Sequence, residues 1–181
     1  MKKLSNDTTG LVLVFTGEGK GKTTAALGTA LRAWGQGMKV LFLQFIKGSW
    51  HTGEQKAFAK LGNNIEIHQL GLGFIDFNDE NQMLQHRQAA QQGIKMAQAA
   101  IASGEYQMIV LDEINYAIAY RLVEATAVVE LIKTKPQHLH IILTGREASA
   151  EIIDLADLVT KMEMIKHPYQ KGITAQKGIE F

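Results

Sequence analysis

Short apolar runs alternate along the chain with longer segments in which apolar residues recur every three or four positions. The short runs are typical of buried strands and the longer segments of helices. Near-continuous apolar strands between helices predict a mostly parallel sheet with helices on both faces, which is a three-layer α/β domain. The predicted strands are residues 11–15, 39–45, 65–68, 106–112, 138–144 and 158–165.

Helices are predicted between these strands. In residues 79–103, Asp79 can cap the first turn with Gln82 reaching back to it, and the alanine-rich remainder favours a helix. Tyr116 and Tyr120 are four residues apart on a helix, a spacing typical of core packing. The remaining predicted helices are residues 23–36, 51–62, 114–123, 125–135 and 148–156.

Length and charge limit the classes of function. A chain of 181 residues fits a single domain, and we expect residues 1–9 to be a flexible N-terminus and residues 167–181 a C-terminal tail. Nineteen basic against eighteen acidic residues leave a net charge of +1, too little to attract nucleic acid or an anionic membrane strongly. The absence of cysteine excludes disulfides and thiolate catalysis. The N-terminus lacks the apolar core of a signal peptide, so we expect a cytoplasmic protein.

The segment "TGEGKGKTT", residues 16–24, follows the first strand and resembles a phosphate-binding loop. The usual pattern is G-x-x-x-x-G-K-[ST], but Thr16 stands at its first position, and a loop counted from the next residue is one residue short. Glycines here can take positive φ and direct backbone N–H groups at an anion, and the following helix start adds its own. The residues predicted to bind ATP are Gly17, Glu18, Gly19, Lys20, Gly21, Lys22, Thr23 and Thr24, with the Thr23 hydroxyl placed for Mg²⁺.

Acidic and basic residues follow later strands at the edge where the loop lies. Asp112 ends the run "MIVLD" and can hold Mg²⁺ directly or through water. Glu113 fits three roles: a metal ligand, a ribose contact, or an acid at a helix start. Arg146 follows the fifth strand and fits a triphosphate contact or a loop salt bridge equally well. Arg32 lies nine residues beyond Thr23, and from spacing alone it reads as a solvated helix charge.

Many segments, in order, resemble one family: the P-loop corrinoid adenosyltransferases of the cobalamin pathway. The resemblance covers residues 11–181, and the shortened loop is itself a mark of the family. Its segments are "TGEGKGKTTAALGTALRAWGQG", "VLFLQFIKGSWHTGE", "GLGF", "IVLDEINYAIAY", "IILTGR", "ADLVTKMEMIKHPY" and "GITAQKGIEF".

The resemblance implies a RecA-like P-loop fold and a defined reaction. The 5′-deoxyadenosyl group of ATP passes to the Co(I) centre of a reduced corrinoid, and triphosphate leaves. Co(I) is a strong nucleophile, so the protein needs neither a nucleophilic side chain nor a general base. The family's triphosphate lies reversed in the loop, which leaves ribose C5′ open to attack. The resemblance also implies a homodimer and a flavin or flavoprotein as electron donor.

The resemblance assigns roles to individual residues as well. Lys22, Thr23 and Mg²⁺ serve the phosphates, and Glu113 joins Lys22 and Thr23 as a catalytic residue through a metal or ribose contact. Arg32 becomes a phosphate contact instead of a surface charge. In the family, aromatic side chains expel the lower axial ligand of cobalt through a motif of glycine, phenylalanine, one residue and tryptophan.

The chain departs from that motif. It reads Gly73, Phe74, Ile75 and Asp76, with Phe77 next. Phe74 matches and is expected to face the corrinoid, with Phe77 a second candidate if the backbone is shifted. Asp76 is not assigned a catalytic role. The loop could also pack elsewhere and be merely variable.

Two other classes of function stay open. An ordinary P-loop NTPase or kinase would release orthophosphate or ADP and would need a residue that orients water. A nucleotide-gated regulatory module would bind ATP without turnover and use "GLGFIDFN" for interaction. Trp50, in a loop, could stack on a ligand in any of these. A nucleic-acid motor is disfavoured by the near-zero net charge.

Overall fold

Six strands and six helices form one α/β unit in the computed structural model, which describes residues 9–48 and 52–180. Trp50 and residues 1–8 of the predicted flexible N-terminus lie outside the described residues. The strands are β1 (Val12–Thr16), β2 (Val40–Gln44), β3 (Ile65–Gln69), β4 (Met108–Asp112), β5 (His140–Thr144) and β6 (Leu158–Lys161). The helices are α1 (Lys22–Gly35), α2 (Gly53–Phe58), α3 (Glu80–Ser103), α4 (Ile114–Ala119), α5 (Ala125–Thr134) and α6 (Ala150–Leu155), followed by a 3₁₀ turn at Pro168–Lys171.

The predicted elements are present, and most are shorter than predicted. The second helix, predicted to reach residue 62, ends at Phe58, and the sixth strand, predicted to reach residue 165, leaves the sheet after Lys161. The fourth helix ends at Ala119 instead of residue 123, because the chain turns at Arg121, where φ is 55°.

The sheet is entirely parallel in the order β3-β2-β4-β5-β1-β6. Alternate residues of each strand point to opposite faces. In β2, for example, Leu41 and Leu43 belong to one core cluster, and Val40 and Phe42 belong to the other. The first cluster is covered mainly by α3 and α5, and the second by α1 and α2. This arrangement confirms the predicted three-layer fold.

The start of α3 is capped by Asp79, as predicted. Its side chain accepts hydrogen bonds from the amides of Asn81 at 2.9 Å and Gln82 at 3.0 Å. The predicted return contact from the Gln82 side chain is wrong, because the Asp79 amide donates to the Asp76 carbonyl instead. Even this longest helix is too polar to span a bilayer, and no helix of the described ranges is long and apolar enough to do so.

Two glycines inside helices have opposite surroundings. A Cβ added at Gly93 of α3 would lie 2.8 Å from both Leu70 Cδ1 and Phe45 Cε1, whereas one added at Gly28 of α1 would meet nothing within 4 Å. Gly93 therefore lets α3 pack closely over the sheet, and Gly28 has no such packing role.

Alanine substitution should separate these two cases. Gly28→Ala is expected to raise the free energy of unfolding by up to about 1 kcal/mol through helix propensity. Gly93→Ala is expected to lower it by about 1–3 kcal/mol, because overpacking outweighs that gain. Urea denaturation of both variants measures the difference. An equal gain in both would show that α3 has room at Gly93.

Candidate nucleotide-binding site

The loop after β1 has the backbone of an anion-binding turn. Gly17 and Gly21 take positive φ, at 95° and 109°, and Gly21 is the N-cap of α1. The first N–H groups of α1 are therefore available to an anion, with the positive end of the helix dipole behind them. Gly19, the middle glycine of the loop, does not have positive φ, so the prediction of positive φ is wrong for this residue.

The loop glycines also meet the chain that leaves β6. A Cβ on Gly17 would lie 2.4 Å from the Met162 carbonyl oxygen, and one on Gly19 would lie 2.7 Å from the Glu163 carbonyl. The Gly19 amide donates to the Met162 carbonyl at 2.8 Å. That amide is thus committed within the protein, and close approach of a neighbouring backbone is a second reason for glycine here.

Lys22 is folded back into the loop. Its Nζ donates to the carbonyls of Gly17 at 2.8 Å and Gly19 at 2.7 Å, and the residue is only 7% exposed. Burial lowers the pKa of Lys22 below its ordinary value, in spite of the nearby Glu113. The ammonium group is therefore held at the centre of the loop, where phosphate oxygens would compete with the two carbonyls.

Asp112 lies at the end of β4 and is fully buried. Its Oδ1 accepts hydrogen bonds from the hydroxyls of Thr23 at 2.9 Å and Thr144 at 2.7 Å, and its Oδ2 accepts from Gln44 at 3.2 Å. Burial raises the pKa of Asp112, and these donors oppose the change. The structure thus brings Thr23 and Asp112 together across the intervening strand β5.

Glu113, the next residue, has an unusual backbone. Its φ is 61°, rare for a residue with a side chain, and its amide donates to the Thr144 hydroxyl at 2.8 Å. Burial first, and then the charge of Asp112, raise the pKa of Glu113 to about 7. Glu113 is the N-cap residue of α4, although its side chain makes no capping hydrogen bond, so the role of a helix-start acid stays a prediction beside those of metal ligand and ribose contact.

Two further basic residues of the site are paired with acids. Lys20 Nζ lies 2.6 Å from Glu180 Oε1, and Arg146 Nη1 lies 3.0 Å from Glu18 Oε2. The salt bridge considered for Arg146 is therefore present, on the rim of the same pocket as the loop. An incoming anion could replace either acid.

These groups surround a cavity of about 820 Å³. The phosphate loop forms one wall and the segment after β6 forms another. That segment, here called the C-terminal wall, was predicted to continue the sixth strand to residue 165 and to form a tail from residue 167. Its lining residues are Met164, His167, Tyr169, Gln170, Gly178, Ile179 and Glu180.

Sequence reasoning missed Lys47 and Glu54, which also line the cavity. Lys47 Nζ donates to Glu54 Oε1 at 2.8 Å. Burial is the largest single effect and would raise the pKa of Glu54. The hydrogen bond and charge of Lys47, together with the Thr52 hydroxyl and the Glu54 amide, outweigh it and keep that pKa below its ordinary value. The signal was available, because Lys47 closely follows β2, just as Asp112 ends β4.

Five predicted residues do not line this cavity. Gly17 and Asp112 contact residues that do, since the Gly17 carbonyl accepts from Lys22 and Asp112 accepts from Thr23. Arg32 is exposed in the last turn of α1, and Phe74 is 87% exposed. The ring of Phe77 packs against Tyr120 with centroids 4.7 Å apart, and Tyr120 packs against Tyr116. Both tyrosines also contact the core, as predicted. The phosphate contact of Arg32 and the corrinoid contacts of the phenylalanines stay predictions.

The fold and the cavity together define a P-loop nucleotide-binding protein. Flagellar accessory protein FlaH from Methanocaldococcus jannaschii has a similar fold, with a TM-score of 0.57 at 13% identity over 85% of this chain and 71% of that one. A profile described as "ATP:corrinoid adenosyltransferase BtuR/CobO/CobP" matches residues 8–181. The chain therefore belongs to the ATP:corrinoid adenosyltransferase family, as its sequence predicted.

Curated relatives agree over nearly the whole chain. A corrinoid adenosyltransferase of Sinorhizobium sp is 40% identical over 177 residues, which cover 97% of this chain and 82% of the relative. One from Pseudomonas aeruginosa is 38% identical over 178 residues, covering 98% and 86%. One from Escherichia coli K12 is 37% identical over 177 residues, covering 98% and 88%.

The raised pKa of Glu113 predicts a pH-dependent stability. Below pH 4.5 the carboxyl is protonated in both the folded and the unfolded state. Between pH 4.5 and about 7 only the unfolded state releases the proton freely, so stability falls as pH rises. Glu113→Gln should remove up to about 3 kcal/mol of this fall, which urea denaturation across that range measures. The exposed Glu130→Gln is the control, and a wild-type slope retained in Glu113→Gln would contradict the assignment.

Proposed function

We propose that this protein transfers the 5′-deoxyadenosyl group of ATP to the Co(I) centre of a corrinoid and releases triphosphate. One observation carries the proposal: in a chain that belongs to this family, the phosphate loop and the partly buried Glu113 line one cavity, and the buried Asp112 accepts a hydrogen bond from Thr23 behind its wall. An NTPase or kinase is less well supported, because the family match favours adenosyl transfer.

The phosphate groups of ATP bind at the loop and at the start of α1. Lys22 exchanges the carbonyls of Gly17 and Gly19 for phosphate oxygens. Arg146 and Lys20 bind the same anion once their ion pairs with Glu18 and Glu180 break. With the terminal phosphates held here, the ribose end of ATP extends along the carboxyl edge of the sheet towards Glu113.

Mg²⁺ fits the acidic side of the site. The Thr23 hydroxyl and the carboxylates of Asp112 and Glu113 are hard oxygen ligands, the type that Mg²⁺ takes together with phosphate oxygens. Bound there, Mg²⁺ would neutralise charge on the phosphates. The Thr23 hydroxyl, now donating to Asp112, would turn an oxygen lone pair towards the ion.

The reaction depends on aligning cobalt, C5′ and the leaving oxygen more than on a nucleophilic or basic side chain. The electron pair of Co(I) forms the bond to C5′, the bond from C5′ to the phosphate oxygen breaks, and its electrons leave with triphosphate. No proton moves. The protein therefore contributes by holding the leaving group in line and by neutralising the charge that grows on it.

The corrinoid side of the proposal rests on Phe74 and Phe77. Phe74 is free to meet a ligand, and Phe77 is positioned by Tyr120. The Asp76 carboxylate accepts a hydrogen bond from the Asn78 amide at 3.0 Å within its own loop. This supports leaving Asp76 without a role at cobalt.

The proposal also includes an oligomeric state, an electron donor and a location for the enzyme. We propose a homodimer, a flavin or flavoprotein as electron donor, and a cytoplasmic location, where ATP is available. Exposed Leu158 and Val159 on the edge strand β6 support association with a second chain. Light scattering would test the dimer.

Adenosyl transfer can be tested with ATP and chemically reduced cobalamin. We expect a light-sensitive Co–C bond and intact triphosphate in equal amounts. Lys22→Ala should lower the rate by roughly 10²–10³-fold, the scale of one lost transition-state donor, whereas Lys133→Ala on the exposed side of α5 should not. Orthophosphate as the product would favour a hydrolase, and tight ATP binding without conversion would favour a regulatory module.

Starting from Co(II) with a reduced flavin tests the aromatic residues. Phe74→Ala and Phe77→Ala should slow this route far more than the pre-reduced one, because an apolar face favours loss of the axial ligand before reduction. Leu72→Ala, at an exposed neighbour in the same loop, is the matched control. If a phenylalanine variant slows both routes equally, its corrinoid assignment is wrong.

A further inference from the structure

Lys47 lies at the far side of the site from the phosphate loop. It follows β2, which pairs with β4 in a register that sets Gln44 beside Asp112. The loop follows β1, on the other side of β5. The cavity therefore has basic residues on both sides of Glu113, with Lys22 at one side and Lys47 at the other.

The separation of these two sides matches a polyphosphate better than a single phosphate. In the order β2-β4-β5-β1 the strands of Lys47 and the loop are three intervals apart, or about 14 Å at about 4.8 Å per interval. An anion that is held by the loop and reaches Lys47 must be extended. Its end nearest Lys47 is then the end farthest from Lys22.

The side chain of Lys47 lines the cavity, together with that of its partner Glu54. The Lys47 Nζ is fixed by Glu54, whose side chain is 15% exposed against 29% for Lys47. The pair could also serve only to attach α2 to the sheet, and the experiment below separates the two roles.

We propose that Lys47 binds the phosphate next to the ribose and stabilises the oxygen that C5′ releases. This inference rests on the proposed adenosyl transfer, in which the bond between C5′ and that oxygen breaks and the oxygen keeps the electron pair. Lys22 holds the terminal phosphates, and Lys47 neutralises the charge that forms at the reacting end. Glu54 is a positioning residue that keeps the ammonium group in place before ATP arrives.

Two measurements test Lys47 in the full-length chain. The first is the affinity for inorganic triphosphate by calorimetry, which needs no corrinoid. The second is kcat at saturating ATP with pre-reduced cobalamin. Lys47→Met should weaken triphosphate binding about tenfold or more and lower kcat on the order of 10²-fold, while Lys47→Arg should retain most of both. Lys56→Met, at an exposed lysine of α2 outside the cavity, should change neither.

Glu54→Gln distinguishes binding from support of α2. This variant removes the negative charge that competes with phosphate but leaves an amide oxygen that can still accept the Lys47 hydrogen bond, so triphosphate affinity should stay close to wild type or rise. If Glu54→Gln and Lys47→Met lose affinity and folding stability alike, the pair is structural and the inference is wrong. Unchanged triphosphate binding in Lys47→Met would also overturn it. If the wild-type protein binds triphosphate but forms no Co–C bond, adenosyl transfer is contradicted. The triphosphate affinities of wild type and Lys47→Met would still show whether Lys47 is a phosphate ligand.

Discussion

The contact between the phosphate loop and the chain leaving β6 determines the form of the site. The Gly19 amide is bonded to the Met162 carbonyl, and neither Gly17 nor Gly19 has room for a side chain beside residues 162–163. The loop is therefore supported from behind by backbone. With one residue fewer than the usual loop, it keeps its shape through a neighbouring strand, and its two inward carbonyls hold Lys22.

Asp112 and Glu113 are held in the site at a cost in folding stability. Thr144 donates to Asp112 and accepts from the Glu113 amide, so one hydroxyl fixes both acidic residues. Three hydrogen bonds compensate the burial of the Asp112 carboxylate. Glu113, in contrast, combines burial of its carboxyl group with a left-handed backbone conformation. Strain and raised pKa at adjacent residues are typical of sites where function outweighs local stability.

Local sequence patterns predicted the elements well because hydrophobic period and strand ends are short-range properties. They also placed Thr23 and Asp112 at one edge, since parallel strands end together. The other contacts depend on strand order and on packing between distant segments. Gly19 meets Met162 only because β6 lies beside β1, and no pattern near Gly19 records that. Glu180 reaches Lys20 for the same reason.

Lys47 and Arg32 show what the sequence could and could not assign. Lys47 follows a strand at the functional edge, but a lone lysine near a strand end is too common to stand out. Arg32 is exposed on α1, as its helical spacing predicted. Its phosphate contact, which the family resemblance implies, stays a prediction.

The ion pairs around the cavity affect how ATP would find it. Among the described residues that line it, Lys20, Lys47 and Arg146 each already have an acidic partner. The site then projects little net positive potential, so long-range attraction contributes little to the association rate. Attraction between ATP and these basic residues becomes favourable only on contact, when the phosphates replace the acidic partners. Ionic strength should accordingly have a weaker influence on ATP capture than the number of basic residues suggests.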